Sequence, residues 1–315
     1  MPKERIRLFE ERLSADPSAH AFNCGLYVFP SHDKDGATEF NMDDYYVYEL
    51  QSDGKFKEHG PIVRISDIPW ATQYAWAPDA AYKNGKYYFY FPAKASDGIF
   101  HMGVAVADDP TGPYDIEPDY IPGSYSIDPA VFVDDDGSAY MVFGGLWGGQ
   151  LECYGVEGNT HNSSTCQPES GDGATVDGGW KPRIAKMTDD MLKFDGDPQP
   201  VDIQNNAGVF FEGSWIHKYN GKYYLSWSTG PTHELHYGTA SKPTGPYTYG
   251  GRLLPDHGIG WTTHHSILEF QGKWYLFYHD SSCADPNSSN TTPQRCVKYA
   301  ELTYNSNGGI NEVQP

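Results

Sequence analysis

The stretch GVFFEGSWIHKYNGKYYLSWS, residues 208–228, decides how the chain is read. Glu212 follows two phenylalanines, and an apolar run comes next. A Tyr-Asn-Gly turn reverses it, and a second run carrying paired tyrosines returns. Two aromatic-rich runs around a tight glycine-containing turn are the pattern of a β-hairpin.

The same unit recurs when segments are aligned on the tyrosine that follows each turn. ADPSAHAFNCGLYVFPSHD (15–33) sets Asp16 eleven residues before Tyr27. WAPDAAYKNGKYYFYF (76–91) sets Trp76 twelve and Asp79 nine before Tyr88. DPAVFVDDDGSAYMVFG (128–144) sets Asp128 twelve before Tyr140, as Glu212 is twelve before Tyr224. In THHSILEFQGKWYLFYHD (263–280), Thr263 and His264 lie twelve and eleven before Tyr275. A second echo, Pro-Thr-Gly-Pro-Tyr at 110–114 and 243–247, marks a turn at the same place in two units.

Five copies, each with room for about four strands, predict an all-β, five-bladed β-propeller. The expected domain is single and spans 1–315, with blades starting near 14, 74, 126, 210 and 262. A helical array is excluded by the missing 3.6-residue period, and a sandwich would not explain why a special residue always opens the unit. Residues 148–178, rich in Gly, Ser, Asn and Asp, are expected as a surface loop inserted in the third blade.

Composition agrees with this. Aromatic residues make up 15% of the 315, with 34 Gly and 23 Pro for turns. A net charge of −20 opposes nucleic acid and anionic lipid as partners and suits a small neutral substrate. No apolar run is long enough to span a membrane. The N-terminal MPKERIRLFEERL is not a signal peptide, so either export with signal removal or an intracellular location fits; localisation and oligomeric state stay open. Of five cysteines, Cys24 is expected as a buried small hydrophobe. Cys153/Cys166 and Cys283/Cys296, each spaced thirteen apart, are either loop-stapling disulfides or free thiols.

In a propeller the innermost strands line a central channel and their starts crowd one mouth. Asp16, Trp76, Asp128, Glu212 and His264 are therefore expected to converge there. Taken singly, Asp-Pro is a turn starter and Trp beside Pro is core; their shared register argues for a site. Two carboxyls with a stacking aromatic point to glycoside hydrolysis, in which one acid stays protonated and the other ionised. Glu212, after Val209-Phe210-Phe211, has the apolar setting of a general acid. Asp16, beside Ser14, Ser18 and His20, suits the base, and Asp128 is a third carboxylate whose charge keeps the acid protonated. The acid run 134–136 reads as a solvated turn.

The set Ser-Ala-Asp-Pro-Ser (14–18), Trp-Ala-Pro-Asp (76–79), Ser-Ile-Asp-Pro (126–129), Phe-Glu-Gly-Ser (211–214) and His-His-Ser (264–266), with both Pro-Thr-Gly-Pro-Tyr turns, resembles glycoside hydrolase family 43 from about residue 13 to 305. The resemblance implies an inverting mechanism with Asp16 as base, Asp128 as modulator and Glu212 as acid. It implies a calcium ion beside a channel histidine, His264 by register with His265 as the alternative. Thr263 stands where the family usually has Gly. Arg295 resembles a late arginine of the β-xylosidase and arabinofuranosidase branch, binding sugar or pairing on the surface. His32, in Pro-Ser-His-Asp, is expected to contact sugar, and Phe211 to wall the pocket. The implied activity is release of terminal β-D-xylose, α-L-arabinofuranose or both. An endo-arabinanase and a non-catalytic carbohydrate-binding propeller are the alternatives.

Overall fold

A computed structural model describes residues 8–166, 179–205, 209–230, 232–256, 258–260 and 262–314. It contains five antiparallel-dominated sheets, one per unit, which are blades I to V of a propeller. Each blade opens on an innermost strand: Ala15–Phe22, Asp79–Lys83, Ala130–Val133, Phe210–Tyr219 and His265–Phe270. The tight turn then returns into Gly25–Ser31, Lys86–Ala95, Ala139–Phe143, Lys222–Thr229 and Lys273–Asp280, as the hairpin reading requires.

The blades are not uniform. Blade V has three strands, ending with Cys296–Leu302, where four were expected. In blade II, Ala71–Gln73 prolongs the innermost edge by pairing with Lys94 and Ala95. Blade IV gains a parallel outer strand, Ile203–Gln204, from the segment that leaves blade III. The two Pro-Thr-Gly-Pro-Tyr turns match in detail. In each the tyrosine hydroxyl donates to the carbonyl of the first proline, Tyr114 to Pro110 (3.0 Å) and Tyr247 to Pro243 (2.7 Å).

Aromatic side chains fill the wedges between sheets, because period-two strands put apolar residues on both faces. Phe29, Tyr45, Phe89 and Phe91 are wholly buried between blades I and II. The ring is closed around the channel by hydrogen bonds. Asp79, buried, accepts from Ser18 Oγ, His20 Nε2 (2.7 Å) and the Val131 N–H (2.5 Å), tying blades I, II and III. Trp215 Nε1 donates to the Ile267 carbonyl (3.0 Å), joining IV to V. Ser266 Oγ accepts from the Ala19 N–H (3.0 Å), and Arg295 O from the Ser14 N–H (3.0 Å), joining V to I.

Two expectations are corrected. Cys24 is exposed, because with Asn23 (φ 47°) it forms the two-residue turn of the first hairpin at φ 67°. The insert is not surface throughout: Trp147–Gly149 and Leu151–Tyr154 are 3-10 turns, and Leu151 to Tyr154 are buried. Its later part, 167–178, lies outside the described residues. The structure pairs Cys153 with Cys166 and Cys283 with Cys296 as disulfides.

Asp79 of blade II gathers three donors from blades I and III, so Asp79→Ala strands them in the core. A fall in melting temperature of about 5 °C or more is expected for a loss of about 3 kcal/mol. Scanning calorimetry checks this, and an unchanged transition would refute the tie.

Candidate active site

Asp16, Asp128 and His264 hold one register. The cross-strand partners of the aligned tyrosines are His20, Phe132 and Leu268, each four residues after them. Glu212 stands five before its reference residue, His217, because the pairing bulges on both sides of it and Gly213 is the extra residue. Asp16 and Asp128 have φ of 49° and 60°, and Asp16-Pro17 is bulged out of the ladder between Ala15 and Ser18. Aspartate tolerates this left-handed region better than most residues, and the bulge turns its side chain toward the channel. Gly213, at φ 65°, cannot be replaced cheaply, since a Cβ there would lie 2.5 Å from the His264 ring.

These residues line one cavity of about 550 Å³ at the mouth of the channel. Asp16, Asp128, Glu212 and His264 are all buried side chains in its wall, joined by Trp76, Phe211 and Arg295. Trp76 enters from the loop between Ala71–Gln73 and Asp79–Lys83 of blade II, held by its Nε1 donating to Phe40 O (2.7 Å) and packed on Phe100 (4.8 Å). Phe211 meets Trp147 edge-on at 5.0 Å. The Asn290 amide donates to Thr38 O (3.0 Å) and the Gln294 amide to Ala37 O (3.1 Å), clasping loops of blades V and I beside the mouth.

The carboxylates differ in electrostatic setting. Burial would raise Asp16, but Arg295, His279 and His264 reverse that and its pKa lies below the ordinary aspartate value. Arg295 Nη1 donates to its Oδ1 (3.0 Å), Ser31 Oγ to its Oδ2 (2.5 Å), and its own N–H donates to His279 Nδ1 (2.9 Å). Burial raises Asp128; the charge of His264 opposes this and that of Asp16 adds to it, leaving it at about 6. Its Oδ2 accepts the Gly213 N–H (3.0 Å). Glu212 is pushed well above the ordinary glutamate value by burial, then by Asp128 and Asp16. Its Oε1 meets no hydrogen-bond donor among the described residues. One acid is thus kept protonated and one base ionised, the pairing that glycosidic cleavage needs.

His32 is not brought to the site. Its Nδ1 lies 2.6 Å from Asp44 Oδ1 and its ring is edge-on to Tyr46. Just past the end of the strand Gly25–Ser31 the chain still alternates: Ser31 bonds Asp16 and Asp33 bonds Arg295, while His32 between them turns to Asp44. Ser31, Asp33 and His279 were missed by the sequence reading, although Ser31 and Asp33 flank His32 in the same tetrapeptide. Arg295 is 2% exposed, so it is neither a surface pair nor free for sugar alone. His264 lines the cavity, whereas His265 is buried at 2.6 Å from Ser226 Oγ. Both ring nitrogens of His264 lack a hydrogen-bond partner among the described residues, and Nε2 is 3.8 Å from Asp128 Oδ2. A buried imidazole in that state fits a neighbouring hydrated cation.

A family model for glycosyl hydrolases family 43 matches residues 12–310. The chain belongs to glycoside hydrolase family 43. It is 49% identical to a xylosidase/arabinosidase of Humicola insolens over 96% of this chain and 97% of that protein. It is 44% identical to a β-xylosidase of Xylanibacter ruminicola, covering 98% of each. A family 43 β-xylosidase/α-arabinofuranosidase from a compost microbial metagenome, solved with xylotriose in a calcium-free form, superposes with a TM-score of 0.87. The two share 48% identity over 98% of this chain and 97% of that one. A Xanthomonas citri family 43 enzyme solved with xylose gives 0.89 at 43% identity, over 98% and 93%. This family 43 chain is thus a glycoside hydrolase, and its candidate site lies at the propeller mouth.

The base must be ionised and the acid protonated, so kcat/KM should be bell-shaped. Activity falls as pH drops through the lowered Asp16 pKa, and falls again as pH rises through the raised Glu212 pKa. Glu212→Gln should erase the alkaline limb and cut turnover of poor leaving groups about 10²–10⁴-fold with an unchanged circular dichroism spectrum. An intact alkaline limb in that variant would remove Glu212 from the acid role.

Proposed function

We propose that the protein is an inverting exo-glycosidase that releases terminal β-D-xylose and α-L-arabinofuranose from xylo- and arabino-oligosaccharides. The observation that carries this is the buried carboxylate set, one lowered and one raised, in a cavity walled by clasped loops. Relatives named xylosidase/arabinosidase support the sugar class, as do family members solved with xylose and xylotriose.

In this reading Glu212 gives its proton to the glycosidic oxygen as the C1–O bond breaks. A water attacks C1 from the opposite face, and Asp16 takes the proton that water loses. The sugar leaves with its anomeric configuration inverted; Asp16 then releases its proton to solvent and Glu212 regains one. Asp128 anchors the Gly213 N–H and its charge disfavours ionisation of Glu212. Trp76 and Phe211 supply apolar walls for the sugar ring.

The walled cavity favours end-on attack over an open endo-acting groove. Nitrophenyl β-D-xylopyranoside and α-L-arabinofuranoside should both be hydrolysed, with debranched arabinan left largely intact. Proton NMR of fresh product should show the inverted anomer; a retained anomer, or preferential attack on arabinan, would overturn the reading.

We also infer a calcium ion beside His264. Calcium prefers oxygen ligands, so the imidazole would meet a largely water-coordinated ion whose charge could polarise the site. Chelation should lower the melting temperature and activity, and added calcium should restore both. No change in either would remove the ion from the proposal.

A further inference from the structure

We propose that Asp33 is a positioning residue for the reaction. It fixes the Arg295 guanidinium so that one nitrogen is left to orient the Asp16 carboxylate. The inference rests on the assignment of Asp16 as the base made above.

Asp33 is 1% exposed and does not line the cavity, whereas Arg295 does. Its Oδ2 accepts from Arg295 Nε (2.9 Å) and from the Arg295 backbone N–H (2.8 Å), and its Oδ1 accepts from Nη2 (2.8 Å). That two-pronged grip fixes the plane and rotation of the guanidinium. The two N–H groups of Nη1 are then aimed, and they meet Asp16 Oδ1 (3.0 Å) and Thr262 Oγ1 (3.1 Å). Ser31, the last residue of the strand and two before Asp33, holds the other oxygen of Asp16. The tip of one blade I strand therefore sets both oxygens of the base, one directly and one through Arg295.

A buried ion pair is weak evidence for stability, because desolvation offsets much of the attraction. An arginine needed only as a positive charge would not require both Nε and Nη2 bonded to one carboxylate. Direction is what the second prong adds. A shift of about 1 Å in a catalytic group can lower turnover about 10²-fold.

The charged and titratable groups facing Asp16 from the surrounding elements are Arg295, His279, His264, Asp128, Glu212 and Tyr45. Asp33 adds a negative charge behind Arg295. Its removal therefore makes two opposite predictions for the acid limb of kcat/KM. If Asp33 acts only through its charge, an uncompensated Arg295 lowers the Asp16 pKa and the limb moves to lower pH. If it positions Arg295, the guanidinium drifts from Asp16 and the limb moves to higher pH.

The experiment compares Asp33→Asn, Arg295→Lys and the double variant on nitrophenyl β-D-xylopyranoside, reading kcat, KM, the acid limb and melting temperature. Asp33→Asn is expected to lower kcat about 30- to 100-fold with KM changed less than about threefold, and to move the acid limb upward. Arg295→Lys keeps the cation without the fork and should do the same. The double variant should fall less than about threefold below the worse single one. A lower melting temperature with wild-type kcat, an acid limb that stays or moves down, or additive losses would overturn the proposal. Should Asp33→Asn not fold, Arg295→Lys alone decides, since an unmoved limb and unchanged kcat there leave the fork with nothing to orient. Asp16→Asn serves as the control for the underlying assignment. If it retains turnover, the base role fails. If it is inactive while Asp33→Asn is unaffected, only the positioning role fails.

Discussion

Three cavity carboxylates lie near one buried arginine that Asp33 holds from behind, and they do not share its charge equally. Arg295 lies against Asp16; burial raises Asp128 against the charge of His264, and burial with both aspartates raises Glu212. The same low-dielectric setting that would neutralise all three is thereby split into an ionised base and a protonated acid. Everything else at the propeller mouth holds that asymmetry in place. Asp33 grips the guanidinium, Ser31 and His279 hold Asp16, and Gly213 brings its N–H to Asp128.

The asymmetry needs irregular backbone. A regular strand would aim its first side chains along the channel or into a neighbouring sheet. Bulging at Asp16-Pro17 and at Gly213, with left-handed φ at Asp16 and Asp128, turns the carboxylates inward instead. Such conformations persist only where surrounding contacts over-determine them. Here the inter-blade hydrogen bonds do so, Asp79 among them at the junction of three blades.

The propeller was legible in the sequence because its hairpins carry aromatics and glycine turns at a constant offset from one polar opener. The three carboxylates were legible for the same reason, and Glu212 kept its place even though an extra bulge residue separates it from the common register. What escaped was the residue that acts behind another. His32 stood out as a titratable side chain in Pro-Ser-His-Asp, yet period-two alternation sends it outward and sends Asp33 in. Applying that alternation to the tip of the strand would have favoured Asp33. Arg295 was seen, but its carboxylate partners lie more than 260 residues away in sequence, and local context could not show that they are buried. Cys24 was misread because an apolar neighbourhood resembles a strand, while Asn23 before it supplies turn chemistry. The three-stranded blade V and the strand lent to blade IV reflect pairing between distant segments, which repeat spacing does not report.

Each blade at the junction of chain start and chain end is built from its own stretch, and no strand among the described residues crosses from V to I. The seam is held instead by Ser14 with Arg295, Ala19 with Ser266, Asp16 with His279, Asp33 with Arg295, and the loop clasp through Asn290 and Gln294. The candidate site lies on that seam. A sugar resting against both Asp16 and Arg295, which line the same cavity, would touch both edges of the ring at once and act as a rivet across it. Ligand occupancy and ring closure are then one linked equilibrium, in which each bound molecule raises the free energy of opening by mass action.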